Sequence, residues 1–344
     1  MSALAAAALI PALLAFAVIA ALRGSRWAAR LSDRPNERSL HVVPTPRIGG
    51  LGIAAGALPF AAWSAASSPG LAAIFASAAV LLVVSLADDF HALPIGVRLP
   101  AHACAAVVAI LAAATPLVPW PWGWIGAVGV TLAIVWSTNL YNFMDGADGL
   151  AGGMGVVGFG AMAWAAADAG QGGLAIACAA VASACAGFLV HNAPPARVFM
   201  GDCGAIPLGF LAGALGLHGT LAGAWPAWFV PLAFSPFVVD ATLTLALRMA
   251  RGEPFWRAHR SHGYQRLVLS GWSLARLAAA AWTLMLAAAA SALVARESAE
   301  GERCAIIFVW LAAYVLLAVL VGRQTRRKAQ AARVDSQPTP RMPE

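Results

Sequence analysis

The sequence predicts an all-α protein, a polytopic integral membrane bundle of about eleven transmembrane helices. Hydrophobic residues make up 61% of the 344 residues and charged residues only 11%, whereas a soluble domain usually has about 25% charged residues. The apolar residues form runs of about 20 residues, the length that crosses a bilayer. The basic residues collect in alternate connections between these runs, as they do in cytoplasmic loops.

Each predicted helix is an apolar run bounded by polar or turn-forming residues. The predicted spans are 3–22, 48–67, 71–87, 99–116, 123–141, 150–167, 174–190, 204–218, 226–247, 272–295 and 304–322. They form a single transmembrane domain over residues 1–322, and the basic residues 323–344 are expected to be a disordered tail. "GGMGVVGFG" (152–160) is interpreted as a close helix-packing surface rather than a phosphate loop.

The distribution of basic residues predicts the orientation. With eleven spans, all Lys and Arg residues except Arg296 and Arg303 fall on one side of the membrane. The positive-inside rule makes that side cytoplasmic, so the N-terminus is expected in the periplasm and the C-terminus in the cytoplasm. The same rule accounts for the net charge of +7 without a nucleic-acid partner.

Two adjacent aspartates end the apolar run "LLVVSLADDFHAL" (81–93) at the cytoplasmic side. An isolated aspartate at a helix end is most often a cap, but capping needs only one of Asp88 and Asp89. Two ionised neighbours repel each other, and a divalent cation or a proton relieves the repulsion. We therefore predict that this pair belongs to a functional site.

A second polar segment, "STNLYNFMDGADGL" (137–150), places amides and carboxylates at three-residue spacing, about one helical turn apart. The four residues in this stripe are Asn139, Asn142, Asp145 and Asp148. The alternative interpretation of "DGADG" is a simple turn. A third segment, "VFMGDCGAIPLG" (198–209), offers Asp202 between two glycines. Oxygen ligands spread over three loops predict Mg²⁺ rather than zinc, with Mn²⁺ as the alternative ion and Asp202 as the first choice of ligand.

Two cytoplasmic loops combine arginine with histidine in a pattern that suits anionic ligands, because arginine forks match phosphate oxygens. In "DRPNERSLHVVPTPRIGG" (33–50) the candidate residues are Asn36, Arg38, His41 and Arg47. In "FWRAHRSHGYQRL" (255–267) they are His259, Arg260 and His262. The alternative is an ordinary positive-inside loop, to which histidine would add nothing. Asp240, inside the ninth span, either reaches the same site or pairs structurally.

These five cytoplasmic segments resemble the polyprenyl-phosphate N-acetylhexosamine-1-phosphate transferases, a family related to the phospho-muramoyl-pentapeptide translocases. The matching pieces are "DRPNERSLHVVPTPRIGG", "LADDF", "NLYNFMDGADGLAGG", "FMGDCGAIPLG" and "HRSH", and they occur in the family's order between residues 33 and 267. The muramoyl-pentapeptide branch typically has a lysine where Arg47 stands and three histidines where "HRSH" stands. These differences favour the branch that starts O-antigen or related surface glycans.

The resemblance implies transfer of a HexNAc-1-phosphate from a UDP-sugar to undecaprenyl phosphate, with release of UMP. It implies a bacterial inner-membrane enzyme that depends on Mg²⁺ and has its active site facing the cytoplasm; a homodimer is compatible with it. By the same resemblance Asp202 is a metal ligand, Asp145 and Asp148 support the metal or nucleotide, and Asp88 is the candidate base with Asp89 as its partner. Because a phosphate monoester is mostly ionised near neutral pH, the alternatives for Asp88 are to position the acceptor or to bind the metal. The "HRSH" residues would hold the donor pyrophosphate, and Asn139 and Asn142 would contact other donor groups.

The alternatives to a transferase are a transporter and a membrane prenyltransferase. A transporter would place its ionisable groups near the membrane midplane, in the broken helices of two repeats. A membrane prenyltransferase would be expected to show two aspartate-rich motifs on related repeats. The sequence has no visible repeat, and nearly all its acids fall at one membrane face, so the transferase is favoured.

Overall fold

The computed structural model describes residues 2–33, 35, 40, 43–65, 68–113, 123–254 and 259–335. Within these residues the chain is a helical bundle, which confirms the predicted all-α class. The helices are α1 (Ala3–Leu22), α2 (Arg26–Arg30), α3 (Gly49–Ala65), α4 (Pro69–His91), α5 (Ile95–Ala113), α6 (Gly123–Phe143), α7 (Leu150–Asp168), α8 (Gly172–Asn192), α9 (Asp202–Leu221), α10 (Phe229–Ala233), α11 (Ser235–Ala250), α12 (Gly263–Leu269), α13 (Leu274–Glu297) and α14 (Glu300–Asp335). Strands β1 (Ser32–Asp33) and β2 (Thr45–Pro46) form a short antiparallel ribbon in the first loop.

Nine helices in the described part of the chain are long and apolar enough to cross a membrane, namely α1, α4, α5, α6, α7, α8, α9, α13 and α14. The other two predicted spans correspond to α3, which has 17 residues, and to the α10–α11 pair. The predicted span 226–247 is therefore not one helix: Phe234 separates α10 from α11, and Pro236 in the first turn of α11 favours a new helix start. Eleven crossings stay a prediction.

Helix α14 continues well beyond the predicted end of the last span at residue 322. Residues 323–335, which the sequence places in a disordered tail, are helical as far as Asp335. Their Arg, Lys, Gln and Ala residues are good helix formers, and they extend a helix that is already nucleated. Gln324 Nε2 donates to Ser270 Oγ at 3.1 Å, and Arg266 Nη2 donates to Thr325 Oγ1 at 3.2 Å. The start of the predicted tail thus contacts α12 and the turn after it.

Small residues allow the central helices to pack closely, as the sequence predicts. A side chain at Gly187 on α8 would meet the carbonyl oxygen of Ala12 on α1 at 2.1 Å. Beside this contact, Ser183 Oγ accepts from Ala12 N at 3.0 Å and donates to Ala8 O at 2.9 Å. The "GGMGVVGFG" segment lies inside α7, where a side chain at Gly153 would meet Trp282 Nε1 at 2.3 Å. Its interpretation as a packing surface is confirmed.

The predicted orientation can be tested with reporter fusions at the two ends of the chain. We expect an N-terminal fusion to report the periplasm and a C-terminal fusion to report the cytoplasm, because the basic loops hold one face inside. The measurement is paired alkaline phosphatase and fluorescent protein activity from each fusion. Both ends on one side would contradict the eleven-span topology, and an internal fusion after Asp168 serves as a control for the outer face.

Candidate active site

The two adjacent aspartates at the end of α4 have different surroundings. Asp88 Oδ1 accepts from Leu93 N at 2.6 Å, and Asp88 Oδ2 accepts from Arg98 Nη1 at 2.8 Å. The side chain of Asp89 is only 2% exposed and lies 3.6 Å from Arg47 Nη1. Each aspartate therefore has its own arginine partner. The positive charges of these arginines offset much of the repulsion between the two carboxylates, on which the prediction of a divalent cation was based.

Asp202 is the first residue of α9 and faces the same arginines. Gly201, with φ +75°, turns the chain into the helix, and the first turn then contacts α4, because Cys203 N donates to Asp89 Oδ2 at 3.3 Å. The Asp202 carboxylate is 30% exposed and lies 4.0 Å from Arg98 Nη1. Arg98 thus stands between Asp88 and Asp202 and joins the α4 and α9 segments of the site.

The first loop is fixed to this cluster through backbone contacts. Phe199 N donates to Pro46 O at 2.9 Å, and Gly50 N donates to Met200 O at 2.9 Å. Arg47 forms an ion pair with Asp33 and also approaches Asp89, as described above. The structure therefore places the predicted residue Arg47 in the site. The predicted residues Asn36, Arg38 and His41 lie outside the described residues.

The predicted stripe of amides and carboxylates is divided by a turn, so the prediction of one helical face is wrong. Helix α6 ends at Phe143, and residues 144–149 form the turn that "DGADG" offered as the alternative. Asn139, still within α6, donates to Val135 O at 2.7 Å and lies 3.4 Å from His102 Nδ1 on α5. Asn142 is partly buried near the end of the same helix. The helix stops here because two glycines follow within six residues and lower its helical propensity.

Asp145 and Asp148, the two aspartates in this turn, have different surroundings. Asp148 is buried, and its Oδ2 accepts from Ala196 N at 2.8 Å, which ties the turn to the segment before Asp202. Burial and the negative charges of Asp202 and Asp89 raise the pKa of Asp145 well above its usual value, while Arg47 lowers it. Asp145 therefore shares an electrostatic site with Asp202, and Asp148 mainly holds the backbone.

The "HRSH" loop and the start of α12 contact the end of α6, just before this turn. Tyr264 Oη donates to Phe143 O at 3.0 Å, and the ring of His262 lies 6.1 Å from the ring of Phe143. Asp240 accepts from Gly263 N at 2.8 Å and from Tyr264 N at 3.1 Å, so it caps the first turn of α12. Asp240 therefore reaches the "HRSH" loop of the candidate site, where it holds the backbone at the start of α12.

The two histidines of this loop are close to each other, with ring centroids 5.0 Å apart. His262 is buried, and its Nδ1 lies 3.5 Å from Asp240 Oδ1. Burial, followed by the charges of His262 and Arg248, lowers the pKa of His259 to about 4. At neutral pH His259 is therefore uncharged, whereas the exposed Arg260 carries a positive charge.

The sequence-based prediction missed Arg98, which contacts both Asp88 and Asp202. The sequence contained an indication of this role, since Arg98 is the one lysine or arginine between Arg47 and Arg197. It stands ten residues after Asp88, and a loop between two membrane spans must bring it back to the same interface.

The predicted metal ligands can be compared with this geometry. Among the described residues no group of three His, Cys, Asp or Glu side chains lies close enough to hold a metal ion, so Asp88, Asp145 and Asp202 do not form a ready-made cage. Mg²⁺ commonly needs only one or two carboxylates, because water and substrate phosphates supply its other ligands. The negative charge of Asp202 raises the pKa of Asp145, so these two carboxylates share one electrostatic site and fit that smaller demand.

A bundle of apolar helices long enough to span a membrane, with aspartates, arginines and histidines gathered at one end, defines a multi-pass integral membrane protein. The sequence profile of glycosyl transferase family 4 matches residues 71–220, from α4 to α9. This range contains Asp88, Asp89, Asp145 and Asp202 together with Arg98.

Known proteins have sequences similar to this chain. It is 27% identical to the undecaprenyl-phosphate alpha-N-acetylglucosaminyl 1-phosphate transferase of Yersinia pestis, over 88% of this chain and 86% of the relative. It is 31% identical to the decaprenyl-phosphate N-acetylglucosaminephosphotransferase of Mycolicibacterium smegmatis, over 70% of this chain and 69% of the relative. The phospho-N-acetylmuramoyl-pentapeptide-transferase of Geobacillus thermodenitrificans is 34% identical over 48% of this chain and 49% of its own length. The chain therefore belongs to glycosyl transferase family 4, which includes polyprenyl-phosphate sugar-1-phosphate transferases, and the resemblance seen in its sequence is confirmed.

Proposed function

We propose that the protein transfers a HexNAc-1-phosphate from a UDP-sugar to undecaprenyl phosphate, and releases UMP. The observation that carries this proposal is the placement of Arg98 between Asp88 and Asp202, within the part of the chain that matches the family. The names of the relatives describe transfer of N-acetylglucosamine 1-phosphate to a polyprenyl phosphate. Arginine and aspartate at a helix end suit a lipid phosphate and a nucleotide pyrophosphate that meet at the membrane surface.

The proposed reaction is a phosphoryl substitution. An oxygen of the lipid phosphate forms a bond to the β-phosphorus of the UDP-sugar, and the bond from that phosphorus to the bridging oxygen breaks, so UMP leaves with the bond's electron pair. Negative charge increases on the leaving oxygen. Arg47 and Arg98, which are paired with aspartates in the described structure, are well placed to neutralise phosphate oxygens.

Mg²⁺ is part of this proposal, with Asp202 and Asp145 as the residues that would hold it. The support is the donor set, which consists of hard carboxylate oxygens, and the negative potential that these residues share. When bound, the ion would neutralise pyrophosphate oxygens. Burial and the negative charges of Asp202 and Asp89 raise the pKa of Asp145, and a bound cation would favour its ionised form.

We assign Asp88 to positioning rather than proton transfer. The second pKa of a phosphate monoester is about 6, so the acceptor is mostly ionised near neutral pH and needs no base. Asp88 orients Arg98 through the 2.8 Å contact and fixes the loop through Leu93 N. His259 is uncharged at neutral pH, so it would contact the sugar-nucleotide donor through a neutral hydrogen bond.

The finer identity of the protein is also a proposal. Arg47 and "HRSH" support the branch that starts O-antigen or related surface glycans, in the bacterial inner membrane and with the site facing the cytoplasm. A homodimer is compatible with the exposed apolar faces of the outer helices, such as Phe308 and Val315 on α14.

The experiment is UMP release by purified protein in detergent, with undecaprenyl phosphate, Mg²⁺ and a panel of UDP-HexNAc donors. We expect UMP only when lipid and ion are both present, and the best donor identifies the sugar. EDTA and omission of lipid are the controls. No UMP from folded protein across the panel would contradict the proposal and favour a transporter.

A further inference from the structure

A cavity of about 580 Å³ opens between the ends of α1 and α8, apart from the aspartate cluster. Its apolar wall includes Phe16, Ala20 and Val190, and its charged rim includes Arg23 and Arg197. Arg23 follows the last residue of α1, and Arg197 lies in the segment after α8. We propose that this cavity binds the phosphate headgroup of an anionic membrane lipid, with the start of an acyl chain against its apolar wall.

The charges of the cavity suit an anion. Arg23 and Arg197 are both exposed, and in the described part of the chain neither takes part in an ion pair. No aspartate or glutamate is among the described residues that line the cavity. Two guanidinium groups on one rim can share the oxygens of a single phosphate, and arginine is well suited to such forked contacts.

The apolar wall shows where the rest of the ligand would lie. Val190 is 64% exposed and Phe16 is 42% exposed, so much of each side chain is open at the surface. Phe16 precedes Arg23 at the end of α1, and Val190 precedes Arg197 at the end of α8. The surface therefore changes from apolar to basic along both helices. A membrane lipid changes in the same direction, from acyl chain to phosphate.

The wall of the cavity is held by contacts between α1 and α8, unlike the residues of an ordinary basic loop. The rings of Phe16 and His191 stack with centroids 4.7 Å apart, and His191 Nε2 lies 3.2 Å from Phe16 O. Arg197 is held by its backbone, whose N–H donates to His191 O at 2.9 Å. Since α1 and α8 are joined through Ser183 and Gly187, the two arginines stand on elements that are fixed to each other.

The site also borders the segment that supports the candidate active site. Ala196, next to Arg197, donates its N–H to Asp148 at 2.8 Å, and Asn192 donates to Val198 O at 2.9 Å. A bound lipid would therefore brace residues 192–198, which also contact Asp148, and it should raise the thermal stability of the whole chain by linkage.

The test is native mass spectrometry of the full-length protein in detergent, titrated with phosphatidylglycerol. Arg23→Gln with Arg197→Gln removes both charges, and Val190→Trp fills the cavity while it keeps them. We expect each change to weaken binding of the first lipid by about tenfold. Arg326→Gln with Arg327→Gln on α14 is the matched control, because it removes two exposed basic residues away from the cavity and should leave binding within about twofold.

The arms of the experiment distinguish the alternatives. Diacylglycerol, which lacks the phosphate, should not bind, and inorganic phosphate alone should not raise the melting temperature. Equal weakening in the α14 control would overturn the site in favour of general charge attraction, and stabilisation by inorganic phosphate would overturn the lipid. If the double arginine variant fails to fold, Val190→Trp decides the result.

UMP release separates this site from the acceptor site. The double arginine variant should keep wild-type turnover at saturating undecaprenyl phosphate; its loss in folded protein would mean that the cavity holds the acceptor instead. If the wild type itself releases no UMP, the proposed function fails, and the lipid titration still decides this inference.

Discussion

Asp202→Asn is expected to abolish turnover, with a fall in kcat of about a thousandfold or more, while the protein stays folded. Asparagine keeps the size of the side chain and removes its charge. The Asp202 carboxylate is partly exposed, and its cation, Arg98, lies 4.0 Å away, so packing does not depend on it. The negative charge is what the proposed Mg²⁺ and the phosphate chemistry require.

The matched measurement is UMP release together with thermal unfolding. Removing the charge of Asp202 lessens the negative potential at Asp145, so the melting temperature should be unchanged or slightly higher. Asp168→Asn, at the opposite end of α7 from Asp145, is the control and should keep activity. Full activity of Asp202→Asn would remove Asp202 from the site, and unfolding would make its role structural.

Gly50→Ala should destabilise the protein strongly, because it forces α3 away from α9. A side-chain carbon at Gly50 would lie 2.3 Å from Gly204 N and 2.7 Å from the carbonyl carbon of Cys203, and both of these are backbone atoms. Backbone cannot rotate aside as a side chain can, so the expected cost is about 3 kcal/mol. The first turn of α9 would shift, and with it the neighbouring Asp202.

Gly160→Ala is the matched control. Gly160 is also helical, but a side chain there meets nothing within 4 Å. That change should leave the melting temperature unchanged or raise it slightly, because alanine favours the helix. Detergent-solubilised variants compared by thermal unfolding give the measurement, with Gly50→Ala expected at least about 5 °C below Gly160→Ala. Equal melting temperatures would show that α3 and α9 separate without cost.

Much of the site could be predicted because its residues lie at the ends of apolar runs. Asp88, Asp89 and Asp202 fall within four residues of a predicted helix end, and Arg47 within one. A residue's position along a membrane helix follows from counting residues, since each adds about 1.5 Å. The sequence could therefore place these residues at one membrane face, where the structure brings them together.

The roles of neighbouring residues could not be predicted in the same way. Asp88 and Asp89 are equivalent in the sequence, yet one pairs with Arg98 and the other is buried beside Arg47. The sequence also does not show that Asp148 and Asp240 accept hydrogen bonds from backbone N–H groups. Which face of a helix a side chain occupies depends on how that helix is rotated against its neighbours, and this rotation is set by packing across the whole bundle.

The sequence by itself determined that this is a membrane bundle, roughly where most of its long helices lie, and which polar segments are expected to share one face. These properties depend on the apolar length and charge of each segment alone. Only the tertiary structure decided that Arg98 joins Asp88 to Asp202, that α10 and α11 are separate, and that residues 323–335 continue α14. The contacts behind these features join distant segments, as when Cys203 meets Asp89 and Thr325 meets Arg266, and their energies arise only when the helices pack.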